Sequence, residues 1–317
     1  MSTIVISIQD KIKKLEEDIK RLNQISRENE IDFSDKIETL QNKINEIKKE
    51  ALVDLSPYEK VSLSRDIKRP TSKEYIDIIC SDFLEIHGDR LFKDDPSIIC
   101  GIAKIDNHNV TIIGHQKGRD VKENIKRNFG MPHPEGYRKA LRAMKQAEKF
   151  NRPIITFIDT PGAFCGLEAE ERGQGEAIAK NLLEMSKLTV PIISFVIGEG
   201  GSGGALGIGV GNDICMLEHS IYSVISPEGL SSILFKDSSK SKEACEVMKL
   251  TSNDLLSLNI IDKIIEEPLG GAQQDVRVVA DNIKYYILDR LNYYNKFSKE
   301  DIVLHRYNKF RKIGRCL

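Results

Sequence analysis

A run of glycines at residues 198–204 is the part of the sequence whose composition points most directly to chemistry. Residues 192–197 are apolar, as in a buried strand, and lead without a break into Gly198-Glu199-Gly200-Gly201-Ser202-Gly203-Gly204. Glycine lets a ligand approach the backbone closely, and the free N–H groups at the start of a following helix hold anions. The anion is either a bound phosphate or an oxyanion that forms during a reaction.

One interpretation of this turn is a dinucleotide site. Gly198-x-Gly200-x-x-Gly203 matches the dinucleotide fingerprint, and Glu218 follows where an acid would contact the ribose. The match is weak because the helix that follows is short and contains glycines, each costing it about 1 kcal/mol relative to alanine. These glycines are Gly207, Gly209 and Gly211.

A second interpretation is the nucleophile elbow of a serine hydrolase. Gly200-x-Ser202-x-Gly204 matches the elbow pattern, which arises easily by chance in a glycine-rich run. A nucleophilic serine needs a histidine within hydrogen-bond reach, and no feature of the sequence places one beside Ser202. The downstream residues that could act as partners are Asp213, His219, Asp237 and His305.

In a third interpretation, the N–H groups of Gly203 and Gly204 form an oxyanion hole and no side chain acts as nucleophile. That arrangement predicts enolate chemistry on a thioester. A second strand-to-turn-to-helix junction upstream, Asp159-Thr160-Pro161-Gly162-Ala163-Phe164, supports it. Repeated junctions of this kind line the thioester pocket of a crotonase-type core.

The elements that would position these turns predict an α/β fold. Strands without apolar alternation, separated by helices, indicate a parallel sheet covered on both faces. Strands are expected at 101–105, 110–114, 153–159, 191–197, 215–217 and 220–225, the first two joined by a hairpin turn at 106–109. Helices are expected at 72–84, 137–150, 170–188 and 205–211, from 227 onward, and in a tail at 273–294 and 299–312.

The N-terminal residues differ from the rest, and we assign 1–55 to a helical hairpin and 56–317 to the core domain. Apolar residues recur at alternating spacings of three and four, the pattern of coiled-coil helices. A phase break at 29–34 predicts an antiparallel pair, which either docks another subunit or packs on its own domain. The apolar positions are Ile8, Ile12, Leu15, Ile19, Leu22 and Ile25, then Ile37, Leu40, Ile44 and Ile47.

Composition excludes several classes of protein. The 317 residues contain 47 Lys+Arg and 48 Asp+Glu, so no net field favours nucleic acid. No apolar run is long enough to span a membrane, and the start of the chain lacks a signal peptide's pattern. The six cysteines are scattered, which fits neither a disulfide framework nor a zinc site, and most are expected to be small apolar filler.

Long strings of the sequence resemble the carboxyltransferase alpha subunit of the multi-subunit acetyl-CoA carboxylase of bacteria and plastids. The resemblance covers nearly the whole chain, and its strings, each free of gaps, match in order. They include His87-Gly88-Asp89-Arg90, 112–119, 127–132, 134–142, 153–163, 170–174, 198–206, 222–229 and 267–272. Phe164, Cys165 and Phe235 depart from the family pattern. Cys165 is either thiol-reactive or, as we favour, a buried small residue.

The resemblance implies a crotonase-like (ClpP/crotonase) core of repeated β-β-α units, with the helical hairpin and tail attached. It implies transfer of the carboxyl group from carboxybiotin to acetyl-CoA, giving malonyl-CoA in the first committed step of fatty acid biosynthesis. The biotin is carried on a biotin carboxyl carrier protein, so no cofactor is bound covalently to this chain. Expected partners are a beta subunit that carries a zinc ion, in an α2β2 heterotetramer, and biotin carboxylase.

The resemblance also implies roles for particular residues. Gly203 and Gly204 would stabilise the oxyanion on the biotin ureido oxygen, and this chain would bind no metal. Lys117 and Arg119 would meet CoA phosphates or the transferred carboxylate, or else form a solvated charge pair. Pocket walls are expected at Gly162, Ala163, Gly200 and Gly201, with a purely structural turn as the alternative for Gly162 and Ala163.

The location implied is a bacterial cytoplasm or the plastid stroma. A non-catalytic scaffold homologue that uses the hairpin to assemble partners remains an alternative, and a serine hydrolase is a more distant one. The retained glycine-rich turn argues against the scaffold.

Overall fold

A mixed eight-stranded sheet organises the chain. The computed structural model describes residues 14–15, 17–26, 33–51 and 55–314. The strands pair in the order β1-β2-β3-β4-β5-β6-β8, and β7 pairs with β5. They are β1 Asp82–Glu85, β2 Ile98–Ile105, β3 His108–His115, β4 Ile154–Thr160, β5 Ile192–Gly201, β6 Asp213–Leu217, β7 Ile221–Ser223 and β8 Lys263–Ile265.

The parallel part of the sheet begins at β3. Strands β1, β2 and β3 pair antiparallel, and β2 and β3 form the predicted hairpin around Asp106. From β3 to β4, β5, β6 and β8 each pairing is parallel. Every residue of β4 is buried, as its lack of apolar alternation predicts for a strand covered on both faces. The predicted α/β fold with a parallel sheet is confirmed.

Helices cover the two faces of this sheet and enclose two apolar cores. α3 and α12 pack on one face, with Ile76, Ile283 and Ile287 in the core. α5 and α7 cover the other, contributing Met144 and Met185. The helices are α1 Ser34–Ala51, α2 Pro57–Ser64, α3 Ser72–Ile79, α4 Val121–Lys126, α5 Pro134–Lys149, α6 Leu167–Glu171, α7 Gln174–Lys187, α8 Ser202–Leu206, α9 Pro227–Leu234, α10 Ser241–Met248, α11 Ser252–Ser257, α12 Val276–Tyr294 and α13 Lys299–Lys312.

The predicted bounds differ most from the structure at three helices. The helix expected at 72–84 ends at Ile79, because the next residues form β1 on the edge of the sheet. The helix expected at 170–188 is two helices, separated at Gly173, which is left-handed with φ 81°. The helix expected at 205–211 occupies Ser202–Leu206 instead, because pairing with β7 carries β5 through to Gly201.

The N-terminal segment is helical where it is described, at 17–26 and in α1. The link between these helices, and residues 1–13, lie outside the described residues. The antiparallel hairpin and its docking role therefore stay predictions. Among the described helices, none has the length and apolar character that a membrane span requires.

Candidate active site

Two turns meet at the carboxyl ends of β4 and β5. We call residues 160–163 the pocket turn and residues 200–204 the glycine turn. Thr160 pairs with Gly200 across the two strands. A Cβ on Gly201 would lie 2.1 Å from the Pro161 carbonyl oxygen, and one on Gly204 would lie 2.5 Å from the Ala163 nitrogen. The turns thus pack backbone against backbone, which only glycine permits at these two positions.

This packing brings together the six glycine-turn and pocket-turn residues expected from the sequence. Gly203 and Gly204 lie in the first turn of α8, where backbone N–H groups have no partner within the helix. Gly204 is buried, and Gly203 is partly exposed. The pocket-wall residues are Gly162, Ala163, Gly200 and Gly201, of which Gly200 is buried and the others are partly exposed.

An open cleft of about 790 Å³ adjoins the glycine turn on the side of Gly203. Its walls come from β7, the segment that follows it, α9, α10, α11 and the end of α13. The side chains there are largely apolar, and Val224 is 82% exposed. They include Tyr222, Val224, Ile225, Leu230, Met248, Leu258 and Phe310. Backbone donors at one end of an apolar cleft suit a ligand with a developing negative charge on an otherwise uncharged ring or chain.

Ser202 does not show the environment of an activated nucleophile. Its backbone is left-handed, with φ 53°, and its side chain is exposed. Within the described ranges, no histidine nitrogen hydrogen-bonds the Ser202 hydroxyl. His219 is buried beside Glu267, and His305 contacts Asn212. The geometry therefore gives no support to a Ser-His pair at this turn.

Lys117 joins the strands that carry the two turns. It follows β3, and its Nζ lies 2.8 Å from Asp159 Oδ1 and 3.0 Å from Glu199 Oε2. Asp159 and Glu199 stand at the ends of β4 and β5, and the Glu199 N–H also donates to Asp159 Oδ1 over 2.9 Å. Two carboxylates thus already neutralise the Lys117 ammonium. A contact between Lys117 and CoA stays a prediction.

The same cluster extends outward through Arg65. Its Nε lies 2.7 Å from Glu199 Oε1, and its NH1 lies 2.7 Å from Glu228 Oε1 on α9. Burial alone would raise the pKa of Glu199, but Lys117 and Arg65 outweigh it and lower that pKa below its usual value. Burial would likewise lower the pKa of Lys117, and the two carboxylates raise it instead. Glu199 and Lys117 are therefore both charged near neutral pH.

Arg119, the other cation expected to meet the substrate, contacts the segment before α3. It forms an ion pair with Glu74 and donates to the backbone carbonyls of Ile67 and Arg69. Its side chain is 36% exposed. The alternative expected from the sequence was that Lys117 and Arg119 are both solvated. In the structure each contacts a carboxylate instead, Lys117 those of Asp159 and Glu199 and Arg119 that of Glu74. A CoA-binding role for Arg119 stays a prediction.

The polar residues beside the pocket turn have mainly structural contacts. His133 stacks on Phe164 with ring centroids 4.4 Å apart, and Gln174 donates to the Phe164 carbonyl oxygen. Arg172 pairs with Glu135 at 2.7 Å. Cys165 is exposed, whereas we expected a buried small residue, because the turn points its side chain away from the core.

Sequence reasoning missed the residues that support the turns from behind. Tyr137 on α5 is buried, and its hydroxyl donates to the Gly204 carbonyl oxygen over 3.1 Å. Asp159 and Glu199 were visible as acids at the ends of neighbouring parallel strands, which is a signal that they meet. Arg65 gave no comparable signal, since only the fold brings α2 to β5. In the described part of the chain, no group of His, Cys, Asp or Glu side chains has the arrangement of a metal site.

Comparison with known proteins identifies the family. Residues 5–314 match the family described as acetyl co-enzyme A carboxylase carboxyltransferase-like. The chain is 56% identical to the acetyl-coenzyme A carboxylase carboxyl transferase subunit alpha of Alkaliphilus oremlandii, covering 96% of each chain. It is 54% identical to the Staphylococcus epidermidis protein of the same name, covering 93% of this chain and 94% of that one.

The solved structures agree at the level of the fold. The transcarboxylase 12S core superposes with a TM-score of 0.59 at 18% identity, covering 77% of this chain and 46% of that one. The expected crotonase-like fold is thereby confirmed. With a family match over nearly its full length and relatives more than half identical, the chain belongs to the family of acetyl-coenzyme A carboxylase carboxyltransferase alpha subunits.

Proposed function

We propose that this chain forms one side of a carboxyltransferase active site, which moves a carboxyl group from carboxybiotin to acetyl-CoA and releases malonyl-CoA. The observation that carries the proposal is the glycine turn. It presents backbone N–H groups beside an apolar cleft, and no histidine of the described residues hydrogen-bonds the Ser202 hydroxyl. Such a site stabilises a developing oxyanion without supplying a nucleophile.

The chemistry balances without a side-chain acid or base from this chain. Cleavage of the N–CO2 bond of carboxybiotin releases CO2 and leaves negative charge on the ureido group. The N–H groups of Gly203 and Gly204 donate to the ureido oxygen while that charge is present. The ureido nitrogen then takes a proton from the methyl group of acetyl-CoA, and the resulting enolate carbon attacks CO2. One oxyanion-hole donor contributes about 3–4 kcal/mol to such a transition state.

The remaining site residues shape the pocket. We assign its wall to Gly162, Ala163, Gly200 and Gly201, where the missing side chain of Gly201 lets the glycine turn lie against the pocket turn. We assign the CoA phosphates or the incoming carboxylate to the edge that carries Arg119, because the Lys117 ammonium at the same edge already has two carboxylate partners. Since the net charge of the chain is only -1, an anionic substrate must be met by such local features.

The active site is completed by other chains. In this proposal a beta subunit supplies the oxyanion hole for the thioester and carries the zinc ion, in an α2β2 assembly. The biotin arrives on a carrier protein after carboxylation by biotin carboxylase. The relatives described above come from bacteria, which supports a bacterial cytoplasm over a plastid stroma.

Two substitutions in the glycine turn test the proposal. In the reconstituted enzyme, Gly204→Val should abolish turnover, because a side chain there collides with the pocket turn. Ser202→Ala should largely spare it, since the exposed hydroxyl has no proposed role. Loss of turnover in Ser202→Ala together with retention in Gly204→Val would reverse the assignment and favour a serine nucleophile.

A further inference from the structure

We propose that Lys117 is a positioning residue that fixes the spacing between the pocket turn and the glycine turn. The inference rests on the proposed function, because these turns hold the reacting groups. It assigns Lys117 a role that differs from substrate contact, and the two roles predict different kinetics.

The strand ladder alone does not fix the ends of β4 and β5. Their pairing is regular from Ile154 to Ile158, and the register then shifts before Thr160 pairs with Gly200. The two turns follow directly on this irregular end. Because β7 pairs with Glu199–Gly201 on the other side of β5, the weakened link at this end is the one between β4 and β5, which sets the spacing of the two turns.

The acids at this end repel each other unless a cation lies between them. Asp159 and Glu199 are both buried, and each places a carboxylate oxygen within 3.0 Å of the Lys117 ammonium. Two charged carboxylates that share one cation lie close enough to repel strongly when that cation is removed. Separation of the strand ends is the simplest way to relieve that repulsion.

The backbone around these acids has no room to absorb such a movement. A Cβ on Gly198 would lie 2.3 Å from Asp159 Oδ1, so the carboxylate rests directly on the β5 backbone. The Lys117 stem is similarly confined, since a Cβ on Gly130 would lie 2.8 Å from Lys117 Cγ. Displacing either acid therefore shifts the backbone that leads into a turn.

Arg65 holds Glu199 from the other side but is more exposed. Its side chain is 33% exposed, compared with 20% for Lys117. It contacts Glu199 but not Asp159, so it does not bridge the two strands. We expect its removal to affect the turns less than removal of Lys117.

The test uses the chain reconstituted with its beta subunit, malonyl-CoA and a biotin analogue. In Lys117→Met we expect kcat to fall by about 100-fold, the cost of a misplacement of about 1 Å, with KM for malonyl-CoA within about twofold of wild type. Glu199→Gln loses one ion pair but leaves no second carboxylate to repel Asp159, so it should lower kcat less than Lys117→Met does. The double variant should regain part of the activity lost in Lys117→Met, because Asp159 then faces no charged carboxylate. Lys263→Met, which removes an exposed charge on β8, should leave both constants unchanged.

Hydrogen exchange gives a readout that does not depend on turnover. In the folded chain, Lys117→Met and Glu199→Gln should each speed amide exchange in peptides covering 160–166 and 198–206, while peptides from α12 stay protected. A general loss of stability would instead speed exchange in α12 as well, which would overturn the positioning role.

The kinetic outcomes separate the alternatives. A rise in KM at unchanged kcat, additive with Glu199→Gln, would overturn the proposal and assign Lys117 to substrate binding. Unchanged kcat and unchanged exchange in both variants would also overturn it. If the wild-type mixture shows no turnover, the proposed function fails, while the exchange experiment still tests the positioning of the turns.

Discussion

The buried hydroxyl of Tyr137 donates a hydrogen bond to the carbonyl oxygen of Gly204, joining α5 to the glycine turn over 3.1 Å. Tyr137→Phe removes this donor and leaves a buried carbonyl with one partner fewer. We expect the free energy of unfolding to fall by about 1 kcal/mol. Chemical denaturation measures it, and an unchanged midpoint and slope would show that the bond does not support the turn.

Two glycine-to-alanine changes, one in the glycine turn and one in α7, should have opposite effects on the free energy of unfolding. Gly201→Ala places a methyl group against the Pro161 carbonyl, so we expect a loss of about 3 kcal/mol in the free energy of unfolding. Gly175→Ala lies in α7, where a Cβ meets no atom within 4 Å, and should stabilise by about 0.5–1 kcal/mol. Thermal melts of both variants check the pair. Equal effects would contradict the packing described here.

The buried guanidinium of Arg306 ties α13 to the end of α7 and the sheet. It donates to the carbonyls of Met185, Leu188 and Val190 and to Asn212 Oδ1, and its side chain is almost inaccessible. Arg306→Met removes the donor to the three buried carbonyls, although Asn212 Oδ1 keeps the Ile192 N–H, and should cost about 3–5 kcal/mol. Arg311→Met, on the exposed face of the same helix, should change stability by less than about 0.5 kcal/mol. Comparable losses in the two variants would show that the buried hydrogen bonds of Arg306 do not stabilise the fold.

His115 predicts a pH dependence of stability. Burial, with Lys117 nearby, lowers the pKa of His115 to about 3, and neither ring nitrogen has a hydrogen bond of good geometry. Between pH 6.5 and 3 the unfolded chain therefore binds a proton that the folded chain does not. The free energy of unfolding should therefore decrease by about 1.4 kcal/mol, from this group alone, for each unit by which the pH is lowered in this range.

The difference between wild type and His115→Gln isolates that contribution, because the other titrating groups are shared. Denaturation at pH 6.5, 5.5 and 4.5 should show a shallower loss of stability for the variant. Parallel curves over this range would mean that His115 is protonated in the folded protein.

The sequence was sufficient to predict the parallel sheet and the two turns at its edge, but not the contacts that hold the turns together. The apolar runs of β4 and β5 lack alternation, and each leads into a glycine-containing turn, so their parallel pairing was predictable. Strand β1 was missed because its four residues directly follow an amphipathic helix and pair only with β2. The role of Lys117 could not be predicted, because its partners at the ends of β4 and β5 meet it only once the sheet has formed.

The central claim is that this chain is one half of a carboxyltransferase, and reconstitution tests it most directly. The chain is mixed with its beta subunit, malonyl-CoA and a free biotin analogue, and formation of acetyl-CoA is measured. We predict acetyl-CoA from the mixture and none from either chain alone. No acetyl-CoA from a mixture of two folded subunits, or full turnover by this chain alone, would contradict the account.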